Sequence, residues 1–304
     1  VLGTDEPLPL LSALRERSLL RRHGQTSEPR FKLALAIRTF AEERLLERGE
    51  FEGVALAHAE WCAEVAAPLT ALRAVFGACE PAALARAQRE RDDLLTAMDR
   101  VGASHPALAA RLGLALGSLW SLQGPQERSM QICRRALELA ARAGDRTVRA
   151  QLWIVQGTTY ARDLDVPTLE RELWAAHDMA RDQGASELQG MALWSLAAAQ
   201  LHQRDFEGAL TLLEAALAVS DDDFVRGKVL GSLAIWHIRK SRFREALAFH
   251  ERSAEAARRA GDPRGVALAL RNASVAHSEL GDLDRAIETS RQALPIQLAL
   301  DDGT

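Results

Sequence analysis

Across residues 107–304, apolar positions recur at helical spacing in segments separated by short polar breaks. The segments align on small residues. Gly117, Gly157, Ala197, Ala234 and Ser274 form one column, at spacings of 40, 40, 37 and 40 residues. Ser129, Leu169, Ala209, Ala246 and Ala286 form a second, and Ala136, Ala176, Ala216, Ser253 and Ala293 a third. Trp120, Tyr160 and His277 share a further column three residues after the first. The breaks repeat as well: Gly144, Gly184 and Gly261 each follow a second helix, where a glycine stops the helix. The pattern predicts five helical hairpins. Two antiparallel helices approach closely only where side chains are small. One hairpin cannot bury its apolar face alone, whereas a stack can. An irregular bundle would not repeat the same columns.

Residues 8–50 carry a different pattern. Leu10 to Arg17 is amphipathic at helical spacing, Ser18 to Arg22 and Arg30 to Leu33 read as two strands, and His23 to Pro29 is their polar turn. Leu35 to Glu47 returns to helical spacing and stops at Gly49. Helix, hairpin, helix is the back half of a winged helix. The expected organisation is a partial winged-helix segment over 1–50, a helical connector over 51–106 and five repeats over 107–304.

Composition supports helix throughout. Of 304 residues 47% are hydrophobic, which can build a core and excludes global disorder. The apolar content is mainly Ala and Leu, with 5% aromatic residues. A net charge of −4 provides no overall field toward nucleic acid or anionic lipid. Lysine occurs only at Lys32, Lys228 and Lys240, so nearly all of the 38 cationic side chains are arginine, which a coding bias explains as well as a binding role. Cys62, Cys79 and Cys133 are too far apart for a disulfide framework or a zinc set, and Cys133 reads as a small buried hydrophobe. No stretch is apolar enough to span a membrane, and no leader is evident. The opening on Val1 and the character of the first fifty residues predict a fragment of a larger cytoplasmic protein.

Catalytic chemistry is not expected. No segment gives the G-x-x-x-x-G-K-[ST] phosphate loop. His237 and His277 occupy equivalent repeat positions and read as core or groove residues rather than metal ligands. His250 beside Glu251 and Glu255 is a pairing that helix surfaces produce by chance. Asp221 to Asp223 reads as a solvated turn that caps the next helix. Gly113 and Gly117 are explained by close helix packing. Neither a cofactor nor a metal is called for.

Binding is the remaining possibility. The first helix of each stacked hairpin lines the concave surface. Counted from the first column, Arg111, Gln151, Arg162, Met191, Trp194, His202, Lys228, Arg239 and Arg271 are the expected groove residues. Cations with Trp194 and Met191 between them would suit a peptide or protein segment bearing acidic and apolar side chains. The competing reading is a solvated face in an arginine-rich chain.

The repeat resembles the tetratricopeptide repeat. Trp153, Gly157 and Tyr160 match its Trp, Gly and Tyr positions, and Ala267 to Ala286 resembles it closely. The unit is longer than the standard of about 34 residues. It usually lacks the proline after the second helix, with Pro295 near that place only in the last unit. The fold implied is all-α, an α-solenoid with hairpins in a right-handed superhelix, preceded by the partial winged-helix segment with one short β-hairpin. The basic-Asn clamp of some co-chaperone repeats is not reproduced: Asn272 is present, but Gly231 and Ser232 stand where its partners would be.

Ser18, Leu19, Leu20, Pro29, Arg30, Phe31, Leu33, Ile37, Arg38, Ala41, Glu42, Leu45, Gly49 and Glu50 resemble a segment of bacterial signal-transduction NTPases with numerous domains. His58 to Trp61 and Glu90 to Met98 extend the likeness. In that family the winged helix clamps the nucleotide module rather than DNA, so no direct nucleic-acid contact is expected of this chain. The resemblance implies a protein- or effector-binding sensor region of such an NTPase or transcription regulator, with the nucleotide module elsewhere. A stand-alone adaptor and a peptide-pheromone-type receptor are the alternatives.

Overall fold

A computed structural model describes residues 7–23, 30–76, 78–159 and 165–301. The chain divides into two compact units, Val1–Trp61 and Cys62–Thr304. In the first, α1 (Pro7–Glu16) leads into β1 (Leu20–His23), which pairs antiparallel with β2 (Arg30–Leu33) in the register Leu20 to Leu33. Ser18 makes the turn between α1 and β1 at φ +59°, so the strand begins later than its apolar pattern suggests. Helix α2 (Leu35–Glu47) follows and buries none of its residues. Helix α3 (Phe51–Thr70) begins in this unit.

The second unit takes up the end of α3, then α4 (Leu72–Val75), α5 (Pro81–Arg89) and α6 (Arg91–Val101). Helical pairs come next: α7 (Pro106–Gln123) with α8 (Gln126–Ala143), α9 (Arg146–Thr159) with α10 (Val166–Asp182), and α11 (Ser186–Gln203) with α12 (Phe206–Val219). Two more complete the unit, α13 (Asp223–Arg239) with α14 (Phe243–Arg259) and α15 (Pro263–Glu279) with α16 (Leu283–Asp301). The architecture is an all-α, tetratricopeptide-like solenoid, and among the described residues the only sheet is the two-stranded one. Pro295 lies inside α16 rather than beyond it.

The small-residue columns sit where helices cross. Ala197, Ala234, Ala209, Ala246, Ala136 and Ala216 are all fully buried. A methyl group at Gly117 would stand 2.6 Å from Cys133 Sγ, and one at Gly113 equally close to the Ala136 methyl. Ser129 Oγ donates to the Gly117 carbonyl at 2.9 Å, so the first and second columns touch directly across α7 and α8. Tyr160 of the aromatic column lies outside the described residues.

Turns are fixed by residue chemistry. Gly144, Gly184 and Gly261 take φ near +67° at the ends of second helices, a conformation in which a side chain is strained. Aspartates open three of the helices: Asp165 of α10 accepts from Thr168 N at 3.1 Å, Asp205 of α12 from Gly208 N at 3.0 Å and Asp262 of α15 from Gly265 N at 2.8 Å. Within the acidic run, Asp222 is the cap, accepting from Phe224 N at 2.9 Å and Val225 N at 3.2 Å. Asp223 instead receives both Arg259 Nε and a terminal guanidinium nitrogen, which holds its carboxyl below the usual range.

A candidate binding surface on the first helices

The expected groove residues divide into a covered half and an open half. Met191 is fully buried and belongs to the core; its offset in the repeat is a facing position only in the abstract. Arg162 lies outside the described residues. Arg111, His202, Arg239 and Arg271 are exposed. Gln151, Trp194 and Lys228 are neither buried nor open, because the chain itself lies against them.

Residues 69–76 are what covers them. The Thr70 carbonyl accepts from Gln151 Nε2 at 3.3 Å. Leu72 joins the core cluster containing Ile154, Leu173, Met191, Phe224 and Val229. Arg73 Nε donates to Glu187 at 3.1 Å, and a terminal nitrogen of the same guanidinium reaches Asp222. The Phe76 ring packs edge-on against Trp194, with centroids 5.4 Å apart, and lies 6.4 Å from Phe224. Trp194 is held in place by its Nε1, which donates to Ser232 Oγ at 2.9 Å. Lys228 Nζ lies over the Phe224 ring at 4.8 Å and donates to Asp262 at 2.7 Å. Its charge is therefore committed to Asp262, and the expectation that Lys228 awaits an acidic ligand is corrected. Cys79 lines one cavity with Leu122, Arg264 and Leu300; burial raises its thiol pKa, and Arg264 opposes the rise.

Sequence reading missed Arg73, Phe76, Glu187, Asp222 and Phe224. The available signal was a short apolar stretch, Leu69 to Phe76, broken by Pro68 and Gly77 and carrying a single charge.

The apolar part of the open half lies on α13 and α15. Ile235, Leu268 and Val275 expose 36%, 44% and 49% of their surface among Arg239 and Arg271. Arg271 and Val275 also line an apolar cavity of about 720 Å³ with Leu283, Ile287 and Leu294 of α16. His237 and His277, read as core or groove residues, are half-buried, whereas His250, expected on a helix surface beside Glu251 and Glu255, faces the interior. His237 stacks on Phe249 at 4.9 Å, and burial lowers its pKa. His250 is buried, its pKa pushed down to about 4 by desolvation. Burial pushes the thiols of Cys62 and Cys133 up to about 12. Among the described residues no group of three or more His, Cys, Asp or Glu is arranged to hold a metal ion. No helix there is long and apolar enough to cross a membrane.

The tetratricopeptide repeat family matches residues 226–299. That span covers α14, α15 and most of α13 and α16, so the repeat is shown where the apolar surface is open. Such repeats are generally non-catalytic scaffolds that bind proteins or peptides. No curated protein sequence matches the chain. Among solved structures, BtubC (BKLC) from P. vanneervenii is similar at 19% identity over 72% of this chain and 91% of that one, with a TM-score of 0.47. A signal transduction ATPase with numerous domains and a tetratricopeptide repeat sensor, PH0952 from Pyrococcus horikoshii, is similar at 15% identity and a TM-score of 0.43. The alignment covers 98% of this chain and 47% of that one.

Proposed function

We propose that the repeats form a protein- or peptide-binding sensor and scaffold region of a bacterial signal-transduction NTPase or transcription regulator, working in the cytoplasm and itself non-catalytic. The observation that carries the binding role is the open surface of α13 and α15, where Ile235, Leu268 and Val275 stand exposed beside Arg239 and Arg271. Apolar side chains ringed by cations suit a peptide that buries aliphatic groups and pairs its carboxylates at the rim. A photo-crosslinking amino acid placed at Val275 identifies the partner. With that partner in hand, Leu268→Asp with Val275→Asp is expected to weaken binding by about tenfold or more, which is about 1.4 kcal/mol. The helical circular-dichroism signal should be unchanged. Undiminished binding by the folded double variant overturns the surface.

The NTPase setting is favoured over a stand-alone adaptor by the first unit. Its α2 buries none of its residues and exposes Leu35, Phe40 and Leu46 at 74%, 59% and 61%, spread around the helix rather than along one stripe, as suits a helix enclosed by a further module. This fits the reading of residues 1–50 as part of a winged helix followed by a connector over 51–106 and repeats over 107–304. The encoding gene tests it: a phosphate loop upstream of Val1 in the same open reading frame supports the NTPase, and its absence leaves the adaptor.

A further inference from the structure

The covered half of the surface shows what chemistry it accepts, because a ligand-like piece of this chain is seated there. We propose that residues 69–76 act as a ligand in cis and that the same surface takes, in trans, a partner segment of like chemistry: a helical turn with an arginine and, three residues on, an aromatic ring. This rests on the reading of the repeats as a protein-binding array and names a second partner class for it.

The recognition elements are specific. Glu187 on α11 and Asp222 at the start of α13 converge on one guanidinium, that of Arg73. Two carboxylates around one arginine form a site for a planar cation rather than for an anion. Phe76 occupies a slot walled by Trp194 and Phe224. Lys228, 11% exposed, reaches both the Phe76 and Phe224 rings, with its Nζ 6.0 Å and 4.8 Å from their centroids. Leu72, 8% exposed, packs into the core cluster of the array, and Leu69 just before the turn is fully buried. Helix α4 is only four residues long, Leu72–Val75, and begins with a cap that makes no side-chain hydrogen bond. Its position therefore derives from docking rather than from helix formation of its own, as for a bound peptide.

A tethered ligand competes at an effective concentration of about millimolar when its linker is short. The test uses the whole chain and a fluorescein-labelled peptide with the sequence of residues 66–79, titrated by anisotropy. The Arg73→Ala, Phe76→Ala chain should bind the peptide at least about tenfold more tightly than the unaltered chain, whose own segment competes. Adding Glu187→Lys to that variant should abolish the gain, as should a peptide carrying Arg73→Glu. Failure of the folded variant to bind the peptide overturns the proposal. So does a gain insensitive to Glu187→Lys. Hydrogen exchange on the unaltered chain gives an independent reading should the variant unfold. Amides of 71–76 should exchange faster than those of α11 and α13, and equal protection would make the segment fixed core. A dimer in the unaltered chain, with the segment exchanged between copies, would overturn the assignment in cis. None of these outcomes touches Leu268 or Val275, so failure here leaves the open-surface reading intact, and the reverse also holds.

Discussion

His250 is 1% exposed, and neither ring nitrogen has a hydrogen-bond partner among the described residues. It lines a cavity with Glu251, Arg258 and His277, and desolvation alone lowers its pKa from 6.5 to about 4. The sign follows from linkage. As pH falls, the unfolded chain takes up this proton first, so the folded state loses stability between pH 6.5 and 4 and is unaffected above that window. Near pH 4 the loss from this one residue is about 3 kcal/mol. Urea unfolding from pH 7 to 4.5 should show a steeper fall for the native chain than for His250→Gln. Parallel profiles would mean that the imidazole is hydrated in solution. His250 was visible in the sequence, but its environment was not. Glu251 and Glu255 are its neighbours along the chain, yet it is burial within the array that sets its charge.

Helix ends were the most legible elements. Gly144, Gly184 and Gly261 stop second helices as their spacing predicts, and after Gly144 and Gly261 the adjacent Asp145 and Asp262 cap the next helix, whereas Ala185 after Gly184 does not. First helices are less uniform. Seven residues after the last three small residues of the first column, α15 ends at Gly281 with φ +78°, whereas Arg204 after α11 and Ser241 after α13 adopt φ +66° and +57° with a side chain present. A residue with a Cβ is strained there, by roughly 1 kcal/mol. Arg204→Gly and Ser241→Gly should each raise stability by about 0.5–1 kcal/mol, read as a higher urea midpoint at unchanged slope. A lower midpoint would show that unfolded-state entropy dominates. Helix α4 was not legible, since four residues after a proline-interrupted helix carry no periodicity to read.

In a solenoid each hairpin touches mainly its neighbours, and unfolding can lose cooperativity. Residues 69–76 counter this by bonding to Gln151 of α9, Glu187 of α11 and Asp222 at the start of α13, and Cys79 shares a cavity with Arg264 of α15. Leu72→Ala with Phe76→Ala should therefore broaden the urea transition. Leu213→Ala, a truncation in the core of one pair, should only shift it, by about 2–5 kcal/mol. A pure shift in both would assign the segment no coupling role. The sequence by itself determined the all-helical class, the hairpin register and most turns, because small residues at crossings and glycines at helix ends act through local geometry. Which part of the array's inner surface stays open was decided only by tertiary structure. Trp194 and Lys228 sit at groove offsets, yet Phe76, more than a hundred residues earlier in the chain, is what covers them. Periodicity specifies the direction of a side chain on its own helix. It carries no information about a distant segment whose docking energy comes from one arginine between two carboxylates and one ring in an aromatic slot.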